Sequence, residues 1–91
     1  MTIAVNETNQ AIQKIDDAVK QSGEIDDVDK RDIRASLDLI RDLAGKDATP
    51  KSKQKITEKL AAVVAMVESC EKLAPVVKPL IAYLKTKFSI P

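Results

Sequence analysis

The densest group of chemically capable side chains is a set of carboxylates near the end of the first third of the chain: Asp26, Asp27, Asp29 and Asp32. Alternating aspartates are typical of calcium-binding loops, in which carboxylate and carbonyl oxygens surround the ion. A loop starting at Asp27 fails that test, because Arg31 takes the third ligand position and Asp32 the position that requires glycine. We therefore predict no metal site and interpret these carboxylates as the charged start of a helix.

Side chains that usually carry catalysis are scarce. The chain has no histidine, a single cysteine (Cys70) and only two glycines. The commonest proton shuttle and the usual zinc ligands are therefore missing, and two distant glycines cannot form a phosphate-binding loop. No serine stands in a recognisable pairing with a base. We predict no catalytic residue, no cofactor and no small-molecule substrate, and hence a protein that is not an enzyme.

A run of lysines forms the clearest basic cluster: Lys51, Lys53, Lys55 and Lys59. Such a run could neutralise phosphates, but helical spacing spreads it around the helix and no aromatic residue is interleaved to stack on bases. Positive charge near a helix N-terminus also opposes the helix dipole. Two interpretations stay open: a solvated helix start, or a contact for an acidic partner, for which Lys51, Lys53 and Lys55 are the candidates.

Charge is distributed unevenly along a nearly neutral chain. Residues 1–48 hold 11 acidic and 7 basic side chains, for a net −4, and residues 49–91 hold 3 and 8, for a net +5. One interpretation is two solvated faces that attract each other within the fold. The other is a dipolar molecule that stacks head to tail or meets a charged partner.

The cellular location of the chain is predicted from its N-terminal segment, the length of its apolar runs and its single cysteine. The N-terminus has neither a basic start nor a continuous apolar segment, so it does not match a secretory signal. The longest uncharged apolar run, residues 60–67, is far shorter than the roughly 20 residues of a membrane span. Cys70 has no second cysteine to pair with and is interpreted as a small buried hydrophobe. We expect a cytoplasmic protein without a membrane partner.

Apolar residues that recur every three or four positions predict four helices, at about residues 7–22, 27–44, 50–73 and 80–88. The clearest stripe lies in the third helix: Ile56, Leu60, Val63, Val67, Cys70 and Ala74. Thr49 and Pro50 are predicted as the N-cap and first position of that helix. Gly23 is predicted to end the first helix in a left-handed conformation.

Two prolines set off the last predicted helix. Proline inside a helix removes a hydrogen bond and clashes with the carbonyl four residues back, so Pro75 and Pro79 predict a break between Leu73 and Lys78. The expected fold is all-α: a small four-helix bundle formed by one domain, residues 1–91, with its last helix set off by this proline break.

The stretch from Asp27 to Phe88 resembles small helical C-terminal domains of bacterial proteins of unknown function, some of them linked to anti-phage defence. The resemblance lies in a charged helix at 31–43, a loop ending in proline at 48–50, an amphipathic helix with a basic start at 51–73, and the segment Leu-Ala-Pro-Val-Val-Lys-Pro-Leu at 73–80. It implies a small helical domain without an active site, so no functional residue is carried over.

A helical chain without chemistry of its own is expected to act by contact. We predict a protein–protein interaction or self-association module, whose contacts include Val64, Met66 and Tyr83 because the main apolar stripe does not need them. The alternative is a small inhibitor or immunity-type protein that blocks one target. A lesser alternative is a nucleic-acid-binding accessory protein.

Overall fold

The structure, a computed structural model, describes residues 5–45, 49–88 and 90, with side chains from residue 7 onward. It consists of four helices: α1 (Val5–Gln21), α2 (Asp27–Ala44), α3 (Pro50–Val67) and α4 (Ala74–Lys87). No strand occurs in these ranges. The predicted all-α four-helix bundle is therefore confirmed.

The helices pack in a closed ring in chain order, because each contacts its successor and α4 also contacts α1. The connection between α1 and α2 lies against the connection between α3 and α4, which places both at one end of the bundle. Successive helices therefore run in opposite directions, and the molecule measures 39 × 20 × 20 Å. We call the end with these two connections the connection end, and the opposite end, where α1 begins and α4 ends, the terminal end.

All four helices contribute aliphatic side chains to one core. Within α3 the predicted stripe is buried from Ile56 at 3% exposure to Val67 at 0%, and its last two members, Cys70 and Ala74, are buried beyond the end of that helix. It meets side chains of the other helices that are no more exposed, among them Ile12, Ile33, Leu37, Ile40 and Leu84. Aliphatic packing of this kind supplies the main driving force for folding in a chain with so few aromatics.

Two helix starts follow local sequence signals. Asp26 caps α2 by accepting a hydrogen bond from the backbone amide of Asp29 at 2.8 Å. Thr49 caps α3 by accepting one from the amide of Ser52 at 3.1 Å, with Pro50 at the first helical position. The predicted Thr49–Pro50 cap is confirmed. The rest of the predicted loop, residues 46–48, lies outside the described residues.

The boundary between the last two helices corrects the prediction. The third helix ends at Val67 instead of residue 73, and α4 begins at Ala74 instead of residue 80. Pro75 stands in the first turn, where no amide bond is lost, and Pro79 lies inside α4. The missing amide of Pro79 would have bonded to the carbonyl of Pro75, and both residues face solvent, where that carbonyl can be hydrated. A break does set off the last helix, as predicted, but it lies at residues 68–73, where the chain reverses, and ends before the two prolines.

The first helix also differs from the prediction at its ends. It runs from Val5 to Gln21 instead of about residue 7 to residue 22, within the usual variation of helix boundaries. Gly23 does not adopt the predicted left-handed conformation. Ser22 closes the turn in its place, since its amide donates to the carbonyl of Val19 and its hydroxyl accepts from the amide of Glu24 at 3.1 Å.

Candidate interaction surface

The solvent-exposed side of α4 is mostly apolar. Of the seven residues that α4 exposes, five carry no polar side-chain group, or only the hydroxyl of a tyrosine. These five form the surface that we call the α4 face: Pro75, Val76, Pro79, Ala82 and Tyr83. Val76 is 48% exposed and Tyr83 is 39% exposed, which is high for large hydrophobic side chains.

The exposed sides of α1 and α2 are very different. Every exposed residue of α1 from residue 7 onward is charged or an amide, and six of the eight exposed residues of α2 are charged. On α3 the first half is polar, but the exposed residues of the second half are Ala61 and Ala65. An apolar exposed surface is therefore concentrated on α4 and the adjoining half of α3. Contiguous patches of this kind mark interaction sites more often than scattered apolar residues do.

A groove follows the seam between α1 and α4 beside the α4 face. At the connection end it encloses about 540 Å³, and its apolar lining includes Ala18, Leu73 and Val76. Toward the terminal end a smaller cavity of about 240 Å³ lies between Leu80 and Tyr83 on α4 and α1. Val76 and Tyr83 of the α4 face each line one of these cavities, so the α4 face continues into a concave surface.

Tyr83 is held in place by α1. Its hydroxyl donates to Oε2 of Glu7 at 3.3 Å, and the same oxygen accepts from Nζ of Lys87 at 2.7 Å. Nζ of Lys87 also lies 5.3 Å from the centre of the Tyr83 ring, within cation–π range. The hydrogen bond and the charge of Lys87 lower the pKa of Glu7, and the same hydrogen bond and the charge of Glu7 raise the pKa of Lys87. The ring therefore has a fixed orientation although one side of it is open to solvent.

The beginning of α4 is positioned by a carboxylate from the other connection. Oε1 of Glu24 accepts hydrogen bonds from the backbone amides of Lys72 and Leu73, each at 3.0 Å. Leu73, the residue at the helix N-cap, has no side-chain bond of its own to the first turn. Because a carboxylate also interacts favourably with a helix N-terminus, Glu24 acts as the cap that α4 lacks locally.

The predicted contact residues do not form one cluster. Tyr83 lies on the α4 face. Val64 and Met66 are partly exposed and pack against the core, so their assignment as contacts stays a prediction. Oε1 of Glu68, the C-cap residue of α3, lies 4.0 Å from Nζ of Lys78 on α4. Val64, one turn earlier, therefore lies on the side of α3 that faces α4.

The predicted basic contacts lie on α3, near the terminal end. Lys51 and Lys55 are exposed and one turn apart, so they share a face. Lys53 is half-buried and lies on another side of the helix. The structure thus separates the three lysines, and their assignment as contacts also stays a prediction.

The remaining reactive side chains have structural roles. Cys70 is buried at 5% exposure, and its sulfur lies 4.0 Å from the carbonyl oxygens of Glu24 and Met66. The carboxylate of Asp26 is engaged in the cap of α2. Within residues 5–45, 49–88 and 90, no three acidic, cysteine or histidine side chains converge as metal ligands would. None of the helices described here combines the length and the hydropathy that a bilayer crossing requires.

Three surface features were not found from the sequence: Val28, Val76 and the Glu24 cap. Val28 is 63% exposed in the first turn of α2. Its spacing from the buried residues Ile33, Leu37 and Ile40 places it on another side of the helix, and that spacing could have indicated its exposure from the sequence. Val76 could not be placed on a helix face, because the sequence predicts a break between Leu73 and Lys78. Glu24 contacts residues 48 and 49 positions away, and no local pattern indicates that contact.

Comparison of the chain with protein families, with curated proteins and with solved structures finds no match. The resemblance to small bacterial helical domains therefore stays a prediction.

Proposed function

We propose that this protein is a non-enzymatic protein-interaction module that docks through the α4 face. The observation that carries the proposal is the composition of the exposed side of α4, where apolar residues replace the charges found on α1 and α2. Exposed single hydrophobic residues are ordinary, but a whole helix side without charge except Lys78 is not.

The free energy gained by burying any one residue of the α4 face is small, so several residues must be buried together in a complex. Val76 is already about half buried, so complete burial adds only about 1 kcal/mol. Association must also overcome the loss of translational and rotational freedom. A useful affinity therefore needs Val76, Tyr83, Ala82 and the two prolines to be covered at once, by a partner that follows the length of α4. Rigid prolines and a tethered tyrosine favour this, since they lose little conformational freedom on binding.

The rest of the module fits the same function. The chemistry of its side chains favours contact over catalysis, because its only thiol is buried and its grouped aspartates include a helix cap. A free thiol in the core is also typical of a reducing compartment, so we propose that the module works in the cytoplasm.

Site-specific crosslinking in the cell that makes the protein tests this function. A photo-reactive phenylalanine analogue replaces Tyr83 in one variant and Gln54 in a control variant. Gln54 is exposed on the first half of α3 and is not part of the α4 face. We expect adducts from position 83 that disappear when Val76→Asp is added, and no comparable adducts from position 54. Equal labelling from both positions, or none from position 83, would contradict the proposal.

A small inhibitor or immunity-type protein is the alternative within the same class. It would use the α4 face to block one larger target and would remain a monomer of 10.0 kDa until that target is added. A single heavy adduct from position 83, together with a monomeric purified protein, would select this alternative.

Nucleic-acid binding is the weaker alternative, because Lys53 does not share a face with Lys51 and Lys55. It predicts a complex with random DNA or RNA whose affinity falls steeply with salt. A gel shift at two salt concentrations tests it directly.

A further inference from the structure

The two halves of the ring carry opposite charge. Residues 5–45, which include α1 and α2, hold ten acidic and six basic side chains, for a net −4. Residues 49–90, which include α3 and α4, hold three acidic and eight basic ones, for a net +5. Because α1 packs beside α2 and α3 beside α4, this division falls across the bundle and gives it an acidic side and a basic side.

Each side also exposes apolar surface. On the basic side this is the α4 face, flanked along the chain by Lys72, Lys78 and Lys85. On the acidic side it is Val28, the most exposed large hydrophobic residue among those described, which stands between Asp27 and Asp29. The two surfaces are therefore complementary both in charge and in their apolar centres.

We propose that the α4 face binds a second copy of this chain, which presents the start of its α2 with Val28 at the centre of the contact. This inference rests on the proposed function and names its partner. Val28 of one copy lies against Val76 and the adjoining groove of the next, and Asp27 and Asp29 lie near the lysines that flank the α4 face. The contact joins two different surfaces, so it closes as a two-fold dimer when each copy presents Val28 to Val76 of the other, and otherwise continues as a ring or an open chain.

The charges argue against a symmetric dimer on the same face. Pairing two α4 faces would bring Lys72, Lys78 and Lys85 of both copies together, and like charges at an interface are unfavourable. The residue types argue against a membrane surface. Helices that lie in a bilayer interface use Trp, Phe or Leu, whereas this face is formed by proline, valine, alanine and one tyrosine.

The test uses two variants that each damage one surface. Val28→Lys places a positive charge opposite the basic side, and Val76→Asp places a negative charge opposite the acidic side. Both positions are exposed, so we expect both variants to fold, which circular dichroism checks. Gln54→Lys and Gln54→Asp introduce the same charges at an exposed site that is part of neither surface. The mass of each protein is measured by light scattering over a range of concentrations.

We expect the wild-type protein and both Gln54 variants to grow beyond 10.0 kDa with concentration at about 20 mM NaCl, and less so at about 500 mM. Each surface variant alone should associate at least about tenfold more weakly, which corresponds to about 1.4 kcal/mol. An equal mixture of Val28→Lys and Val76→Asp should associate again, because each supplies the surface that the other lacks.

Three outcomes would overturn the inference. If Val28→Lys associates like the wild type while Val76→Asp does not, the α4 face forms a symmetric dimer, and the proposed function stands. If the wild type stays monomeric, the second copy is excluded, and crosslinking at position 83 still decides whether another protein binds. If the protein instead binds vesicles of phosphatidylglycerol and phosphatidylcholine, and Val76→Asp abolishes that binding, the occupant is a membrane and both proposals fail.

Discussion

The two ends of the seam between α1 and α4 are each joined by one glutamate, but the two glutamates bind different kinds of donor. At the connection end, Glu24 accepts from the backbone amides of Lys72 and Leu73. At the terminal end, Glu7 accepts from the side chains of Lys87 and Tyr83. Both carboxylates thus fix α4, and with it the α4 face, against the first third of the chain.

The kind of donor determines how much each glutamate contributes to the stability of the fold. The amides bound by Glu24 are fixed by the backbone, and without this carboxylate they have no helical partner. Lys87 and Tyr83 are long side chains that lose rotamer freedom when they bind, and the ion pair is half open to solvent. We therefore expect the Glu24 interaction to contribute more to stability than the Glu7 interaction, which mainly orients Tyr83.

Removal of the Glu24 carboxylate should have the largest effect. Glu24→Ala leaves the amides of Lys72 and Leu73 without an acceptor, and we expect a loss of about 2 kcal/mol in the free energy of unfolding. Urea denaturation followed by circular dichroism measures the loss. Amide hydrogen exchange should also accelerate at Lys72 and Leu73, before any change in the middle of α4.

A control for that variant lies in the same turn of the chain. Glu71 is exposed and makes no hydrogen bond or ion pair with the described residues, so Glu71→Ala should change stability by less than about 0.5 kcal/mol. If Glu24→Ala and Glu71→Ala have equal effects, general charge near α4 matters and the specific cap does not.

The terminal end contains a buried hydroxyl that is expected to lower stability. Thr8 is completely buried, and its Oγ1 has no hydrogen-bond partner within the described part of the chain. Thr8→Val replaces this hydroxyl by a methyl group of nearly the same size, so we expect a gain of about 1 kcal/mol. Thr8→Ser keeps the hydroxyl and loses a methyl group, and should be about 1 kcal/mol less stable than the wild type. Lower stability of Thr8→Val in the same urea experiment would mean that the hydroxyl is bonded.

How well the sequence predicts each element depends on where its signals lie. The bounds of α2 were predicted as observed, because a cluster of aspartates begins it and an apolar period runs through it to Ala44. The start of α3 was predicted from two adjacent residues, Thr49 and Pro50. These signals act within one helical turn, so they can be recognised before the fold is known.

The start of α4 could not be predicted in this way, and the candidate surface was missed with it. The amides of Lys72 and Leu73 are satisfied by Glu24, which precedes them by 48 and 49 residues. Because that contact cannot be recognised in the sequence, the two prolines predict a break, and Val76 cannot be assigned to one side of a helix. Tyr83 lies beyond the prolines, and its assignment as a contact residue, made from the sequence alone, stays a prediction. The part of the surface that depends on tertiary packing therefore needed the structure.

The smallest expected effect concerns the pH dependence of the terminal end. The pKa of Glu7 is lowered in the folded state, so its contribution to stability is present above its ordinary value of 4.5 and is lost as the pH falls through the lowered value. The pKa of Lys87 is raised, so its contribution is present below its ordinary value of 10.5 and is lost as the pH rises through the raised value. The pair therefore stabilises the fold only between these limits, and Glu7→Gln should lower the melting temperature slightly at neutral pH and not at all in strong acid. An NMR titration of the Glu7 carboxyl should give a midpoint below its ordinary value of 4.5. A midpoint at that ordinary value would mean that Lys87 is solvated in solution, and Tyr83 would then be free to reorient on the α4 face.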